Sequence, residues 1–277
     1  SNPWMEYSLP IGNGSLGASL FGGVMNDEIQ FNEKTLWAGG PKDINPRGGD
    51  GPGSGFGCFL NFGGVFVKNL NTEAFDGTSA KNVLNYVRYL DLDKGIGGVN
   101  FSDKAGTKYT RRYFASAPDG VIAARYTAEG ANKLHLVFRL IPGEELHADN
   151  ATYSADGTGS FHGKLQTVYH NARIKVVPVG GTLRATDEGI EVDGASEVLL
   201  FLCGGTSFDS FSAERTSGDA TQLANRVKGI VDAAAAKSWD ELLSAHTADF
   251  TSYMGRVDLQ LTPNPSKRNT EDLVKYY

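Results

Sequence analysis

No run of lysine or arginine in this sequence is longer than Arg111-Arg112, and the formal net charge is −6, so nothing resembles a basic stripe able to track a phosphate backbone. Nucleic acid is therefore not an expected partner. No apolar stretch approaches the ~20 residues of a membrane-spanning helix, so no helix is expected to cross a bilayer. The two cysteines, Cys58 and Cys203, lie 145 positions apart. That spacing suits neither a zinc knuckle nor a disulfide framework, and leaves open two buried thiols or one long-range bridge. His135, His147, His162, His170 and His246 are scattered without a His-x-His or His-Glu-x-x-His spacing, so neither a metal site nor another cofactor is expected. Proline is scarce, ten residues against 35 glycines in 277, and the glycines keep no three-residue period, which excludes a collagen-like chain.

What the sequence does contain is a succession of short apolar or alternating runs. "YTRRYFAS", "GVIAARYTA", "KLHLVFRL", "ARIKVVPV" and "EVLLFLCGG" each have the length of one strand, and "SDKAGT", "APDG", "EGAN" and "SADGTG" are turn compositions. Spacings of about ten residues with no helix between them mean antiparallel neighbours. The expected fold is mainly β, a large antiparallel β-sandwich (super-sandwich) with two short helices near the C-terminus. Those helices fall near 219–254. Asp219-x-x-Gln222 opens a face of Leu223, Val227, Ile230, Val231 and Ala234, and Ser238-x-x-Glu241 opens one with Trp239, Leu242, Leu243, His246, Phe250 and Tyr253. "RVDLQL" then alternates Val257, Leu259 and Leu261 as a returning strand. "TPNPSKRN" reads as a linker and "TEDLVKYY" as the start of a helix that a longer sequence is expected to continue.

Gly12-x-Gly14-x-x-Gly17 has the spacing of a dinucleotide-binding turn, and Glu33 falls about 20 residues on, where a ribose-binding acid belongs. The context disagrees. "SNPWMEYSLP" is no buried strand, and Gly17, Gly22 and Gly23 oppose a helix downstream. The segment reads as an extended one with a glycine bend. Ser207 and Ser15 lack a Gly-x-Ser-x-Gly elbow. Glu6, Glu33, Asp43, Glu144, Glu145 and Asp209 offer no context that predicts a buried acid–base pair, so no catalytic residue is assigned. The most concentrated unusual stretch is "QFNEKTLWAGGPKDINP", residues 30–46. Asn32, Glu33, Trp37 and Asn45 combine an indole with planar polar groups, which suits sugar contact. The structural alternative is that Trp37 fills the core and Asn32 ties down a turn.

"LPIGNGSLGASLFGGV" followed by "EIQFNEKTLWAGGPKDINP" resembles the N-terminal domain of glycoside hydrolase family 95, the α-L-fucosidases and related α-L-galactosidases. "YVRYLDLDKGIGGVNFSDKAGTKYTRRYFASAPDGVIAARYTA" is similar to that domain's paired strands, and "AHTADFTSYMGRVDLQL" to its closing helix and strand. Residues 47–82 depart from it, with "RGGDGPGSGFGCFLNFGGVFV" in place of a helical insertion. The resemblance implies a sandwich domain over residues 1–262. Residues 263–277 would be a linker and the start of a helix leading to an (α/α)6 barrel that carries the catalytic carboxylates. It also implies an inverting exo-glycosidase of secreted or periplasmic location, with a fucosylated or related glycan as substrate. Under it, Asn32, Glu33, Trp37 and Asn45 are substrate- or barrel-facing candidates. A free-standing carbohydrate-binding module is the alternative.

Overall fold

The computed structural model describes residues 7–38, 58–75, 81–259, 268–270 and 272–273. Among them the strands follow in chain order as β1 (Leu9–Gly12), β2 (Leu16–Leu20), β3 (Asn26–Glu33), β4 (Trp37–Ala38), β5 (Cys58–Phe59), β6 (Gly63–Asn69), β7 (Leu84–Asp91), β8 (Ile96–Ser102) and β9 (Lys108–Ser116). They continue as β10 (Val121–Glu129), β11 (Leu134–Pro142), β12 (Thr152–Ser154), β13 (Thr158–Lys164), β14 (Tyr169–Val179), β15 (Thr182–Thr186), β16 (Gly189–Ala195) and β17 (Glu197–Thr206). Two helices close the described fold, α1 (Ala220–Ala235) and α2 (Trp239–Met254).

A seven-stranded sheet in the order β1-β2-β3-β6-β11-β16-β15 packs against an eight-stranded one in the order β12-β13-β14-β17-β10-β9-β8-β7, and β4-β5 stands apart as a small ribbon. The fold is thus the antiparallel sandwich that the spacing of the runs predicts. One core joins the two layers: the rings of Tyr126 on β10 and Phe138 on β11 meet edge to face at 5.5 Å between the sheets. Strand β3 shows how the sequence selects this arrangement. Its burial alternates strictly, with Asp27, Ile29, Phe31 and Glu33 turned inward. β17, by contrast, is buried along nearly its whole length, because helices cover its outer face as well. This is why "EVLLFLCGG" reads as a continuous apolar run.

Both helices start at the caps the sequence announces. Asp219 Oδ1 accepts from Gln222 N at 2.8 Å. Ser238 and Glu241 form the full reciprocal box. α1 lies on β14 and β17 through Leu223, Val227 and Val231, and α2 lies on β9 through Trp239, which packs on Phe114 with ring centroids 4.9 Å apart.

The glycine motif is a hairpin. β1 and β2 pair with Gly12 opposite Gly17, and Gly14 makes the turn at φ +84°, a conformation a side chain resists. Asn13 fixes it: its carbonyl oxygen accepts from Ser15 N and Leu16 N, and its amide donates to the Ser116 carbonyl across the sandwich. With a strand on each side and no helix after it, the segment forms no pyrophosphate cradle.

Two expectations are corrected or resolved. Residues 257–259 are not a strand; Val257 and Leu259 are 81% and 77% exposed, so their alternation has no sheet to face, while Leu261 lies outside the described residues. Cys58 and Cys203 are both free thiols, Cys203 buried in β17 and Cys58 half-buried in β5. Burial pushes the Cys203 thiol up to about 12, so it is an inert packing group. In the divergent region, "GGVFVKN" forms β6 at the middle of the seven-stranded sheet.

Candidate functional site

The segment singled out in the sequence begins where β3 ends. Asn32 donates its amide to the Leu60 carbonyl at 2.9 Å, and its own oxygen accepts from Glu33 N at 2.8 Å. Glu33 is buried, and one of its carboxylate oxygens accepts from both the backbone N–H, at 2.9 Å, and the hydroxyl of Thr35. That hydroxyl meets Thr206 Oγ1 at 2.5 Å at the end of β17. Leu36, fully buried, then pins the chain before Trp37 emerges.

The consequence is a braced ribbon. Trp37 and Phe59 pair across β4 and β5 with rings edge to face at 4.8 Å, and they are 41% and 58% exposed. Trp37 therefore does not fill the core. The same end of the sandwich carries Phe208 and a fully exposed Phe211, in a loop tied by Ser207 Oγ to Thr216 Oγ1 at 2.7 Å and by Phe211 N to Asp209. Thr206 links the parts. Its hydroxyl accepts from Phe208 N and its carbonyl from Arg226 of α1 at 2.6 Å. Of the four residues predicted from the sequence, Asn32 and Glu33 support the ribbon, Trp37 is presented by it, and Asn45 lies outside the described residues.

The alternative catalytic groups resolve into structural ones. Ser207 is buried, and its hydroxyl accepts from Tyr169 N. Asp209 caps its own turn, and Glu144 and Glu145 lie in a 3-10 turn. Glu6 and Asp43 are outside the described residues. Among the described residues no group of three His, Cys, Asp or Glu side chains converges as a metal site.

Sequence reading missed one charged centre. Asp27 on β3 and Arg111 on β9 form a buried ion pair at 3.3 Å between the sheets. Arg111 also donates to the Gly23 and Val24 carbonyls and lies over the rings of Phe101 and Tyr126. The Tyr113 hydroxyl donates to Asp27 at 2.5 Å. Burial first, and the Asp27 carboxylate second, hold the hydroxyls of Tyr113 and Tyr126 well above the ordinary tyrosine range, so both remain donors. The clue was the period of two, which puts Asp27 on the inward face of "NDEIQFNE".

His170 is the buried histidine with a pH consequence. Its Nε2 donates to the Leu146 carbonyl at 3.1 Å, while Nδ1 is buried without a partner among the described residues, between the rings of Phe62 and Phe161. Burial lowers its pKa below 6.5. The unfolded chain therefore takes up this proton more readily than the folded one, and stability should fall as pH drops below about 6.5. The melting temperature measured between pH 7.5 and 5 should decline, and the decline should be shallower in His170→Gln. Equal slopes in the two proteins would remove His170 as the cause.

The described residues thus form a two-sheet antiparallel sandwich with both helices on the eight-stranded sheet and a braced aromatic ribbon at one end. Residues 1–54 and 49–211 match the model of the glycosyl hydrolase family 65 N-terminal domain, and the chain belongs to that family. It is 24% identical to Alpha-L-fucosidase 2 of Arabidopsis thaliana over 98% of this chain and 37% of that protein. It is 26% identical to Probable alpha-fucosidase A of Aspergillus niger over 99% of this chain and 38% of that protein. The chain thus spans about two fifths of the length of the curated relatives it matches. Among solved structures, a bacterial glucoamylase complexed with acarbose aligns at 12% identity and a TM-score of 0.46, over 87% of this chain and 35% of that one.

Proposed function

We propose that this chain is the N-terminal sandwich domain, itself non-catalytic, of an inverting exo-glycosidase of the glycoside hydrolase family 95 type, acting on α-L-fucosides or related L-sugar glycosides. In this reading residues 1–262 form the sandwich with its helices, and 263–277 lead into an (α/α)6 barrel that holds the catalytic acid and base. The protein is secreted or periplasmic and needs no cofactor. The boundary at 262 and most of the residues after it lie outside the described ones. The observation that carries the proposal is the alignment of nearly the whole chain with under two fifths of two proteins named as α-fucosidases. The braced ribbon supports a role at the barrel's entrance, since Asn32 and Glu33 spend their polar groups on holding Trp37 in place.

The test compares the 277-residue chain with the protein from the extended coding sequence, on 4-nitrophenyl α-L-fucoside and 2′-fucosyllactose. The expected result is turnover by the long protein only. Turnover by the 277-residue chain that disappears on replacing one of its own carboxylates would overturn the proposal. The exposed Trp37–Phe59 pair favours a second reading, a free-standing carbohydrate-binding module. That reading requires the isolated chain to bind 2′-fucosyllactose and to lose the binding in Trp37→Ala.

A further inference from the structure

A second feature lies at the β7 edge of the eight-stranded sheet, four strand positions from β17. There an open groove of about 710 Å³ runs between α2 and strands β7 to β9, within the ~300–1,000 Å³ range of small-molecule sites. Its floor is a cross-strand row in which Tyr89 of β7 pairs with Gly98 of β8, and Gly98 with Arg112 of β9. Gly98 decides the shape. A Cβ there would fall 2.3 Å from the Tyr89 ring, so only glycine lets the ring come this close to the β8 backbone, and Tyr89 lines the groove from that position.

The opposite wall is one stripe of α2, in which Asp240, Ser244, Thr247 and Thr251 recur at helical spacing. The helix cannot close onto the floor, because its buried side is fixed elsewhere. His246 Nε2 donates to the Lys94 carbonyl at 2.9 Å, Phe250 sits directly on Gly95, and Trp239 and Leu242 are in the core.

We propose that this groove binds a neutral oligosaccharide, with one sugar ring stacked on Tyr89 and its hydroxyls hydrogen-bonded by Arg112, Asp240 and the α2 hydroxyls. The chemistry selects the class. Asp91 and Asp240 face Lys94 and Arg112, so the lining has no net charge to favour a phosphate or a cation. A flat aromatic face beside a guanidinium, a carboxylate and three hydroxyls matches a ring with an apolar face and a polyhydroxylated edge. Among the described residues no ion pair engages Arg112 or Asp240, so their hydrogen-bonding groups are not committed to a charged partner. The site requires neither the barrel nor fucose, so it stands or falls separately from the function proposed above.

The experiment is calorimetric titration of the 277-residue chain with maltotriose and with 2′-fucosyllactose, alongside 3′-sialyllactose and inorganic phosphate. At least one neutral trisaccharide should bind with a Kd of about 1 mM or below. Arg112→Ala, at an exposed position, and Tyr89→Ala, at a half-buried one, should each weaken it by about tenfold or more, whereas Trp37→Ala should leave it unchanged. The proposal is overturned if neither neutral sugar binds, if binding ignores Tyr89→Ala and Arg112→Ala, if it depends on Trp37, or if phosphate or sialyllactose binds more tightly than both neutral sugars.

Discussion

Asp27→Ala is expected to lower the melting temperature by about 10 °C. The pair it belongs to is buried at both ends and holds the bend at residues 21–25 of one sheet against β9 of the other. Forming such a pair gives little net stability, because desolvating two charges costs nearly what their attraction returns. Removing one partner is different: it strands the other charge in a low-dielectric interior, at about 3–5 kcal/mol. For a domain of this size each kcal/mol moves the midpoint by roughly 2–4 °C. Alanine also deprives Gly22 N, Glu28 N and the Tyr113 hydroxyl of their acceptor. A double variant, Asp27→Ala with Arg111→Met, should be more stable than the sum of the two single losses predicts, since the stranded charge is gone. A single variant within about 1 kcal/mol of the parent would show that water reaches Arg111 and that the pair is not what joins the sheets.

That centre also marks the limit of what the sequence makes legible. Period-two alternation tells which face a residue takes, and in β3 the structure shows Asp27 with Ile29 and Phe31 on the inward side. It does not tell which strand lies opposite. Partner choice depends on strand order, and here the order leaps along the chain, from β3 to β6 to β11 and from β17 to β10, so Asp27 and Arg111 meet across two sheets from distant positions. Local chemistry was readable wherever it is local in sequence: the Ser238 and Asp219 caps, and the glycine bend, which the structure shows as the turn between β1 and β2. Val257 and Leu259 show the converse, an alternation that satisfies the pattern with no neighbouring strand to meet it. In the candidate site, the indole and the planar groups were visible as a cluster. Their division of labour was not, because it rests on Leu60 and Thr206, which the fold alone brings to Asn32 and Thr35.

The two described tryptophans should respond to truncation in opposite ways. Trp239 is buried at the start of α2, packed on Phe114 with Arg125 over its other side, and its indole N–H has no partner among the described residues. Trp239→Ala therefore removes packing without removing a hydrogen bond and should cost about 3–5 kcal/mol, as large aromatic deletions in cores do. It should also loosen the wall of the β7–α2 groove. Trp37, 41% exposed on a ribbon braced from below, should cost within about 1 kcal/mol. If the ribbon faces the entrance of a catalytic barrel, Trp37→Ala in the long protein should nonetheless lower kcat/KM by about tenfold, equivalent to about 1.4 kcal/mol of lost transition-state binding. Asn32→Ala should lower it too, by releasing the Leu60 carbonyl next to Phe59, the residue that pairs with Trp37. Paired thermal melts and steady-state kinetics separate the roles. A Trp37→Ala protein that melts normally and retains full kcat/KM would confine the ribbon to structure, whereas a normal melt with lost turnover requires that the indole act on something outside its own fold.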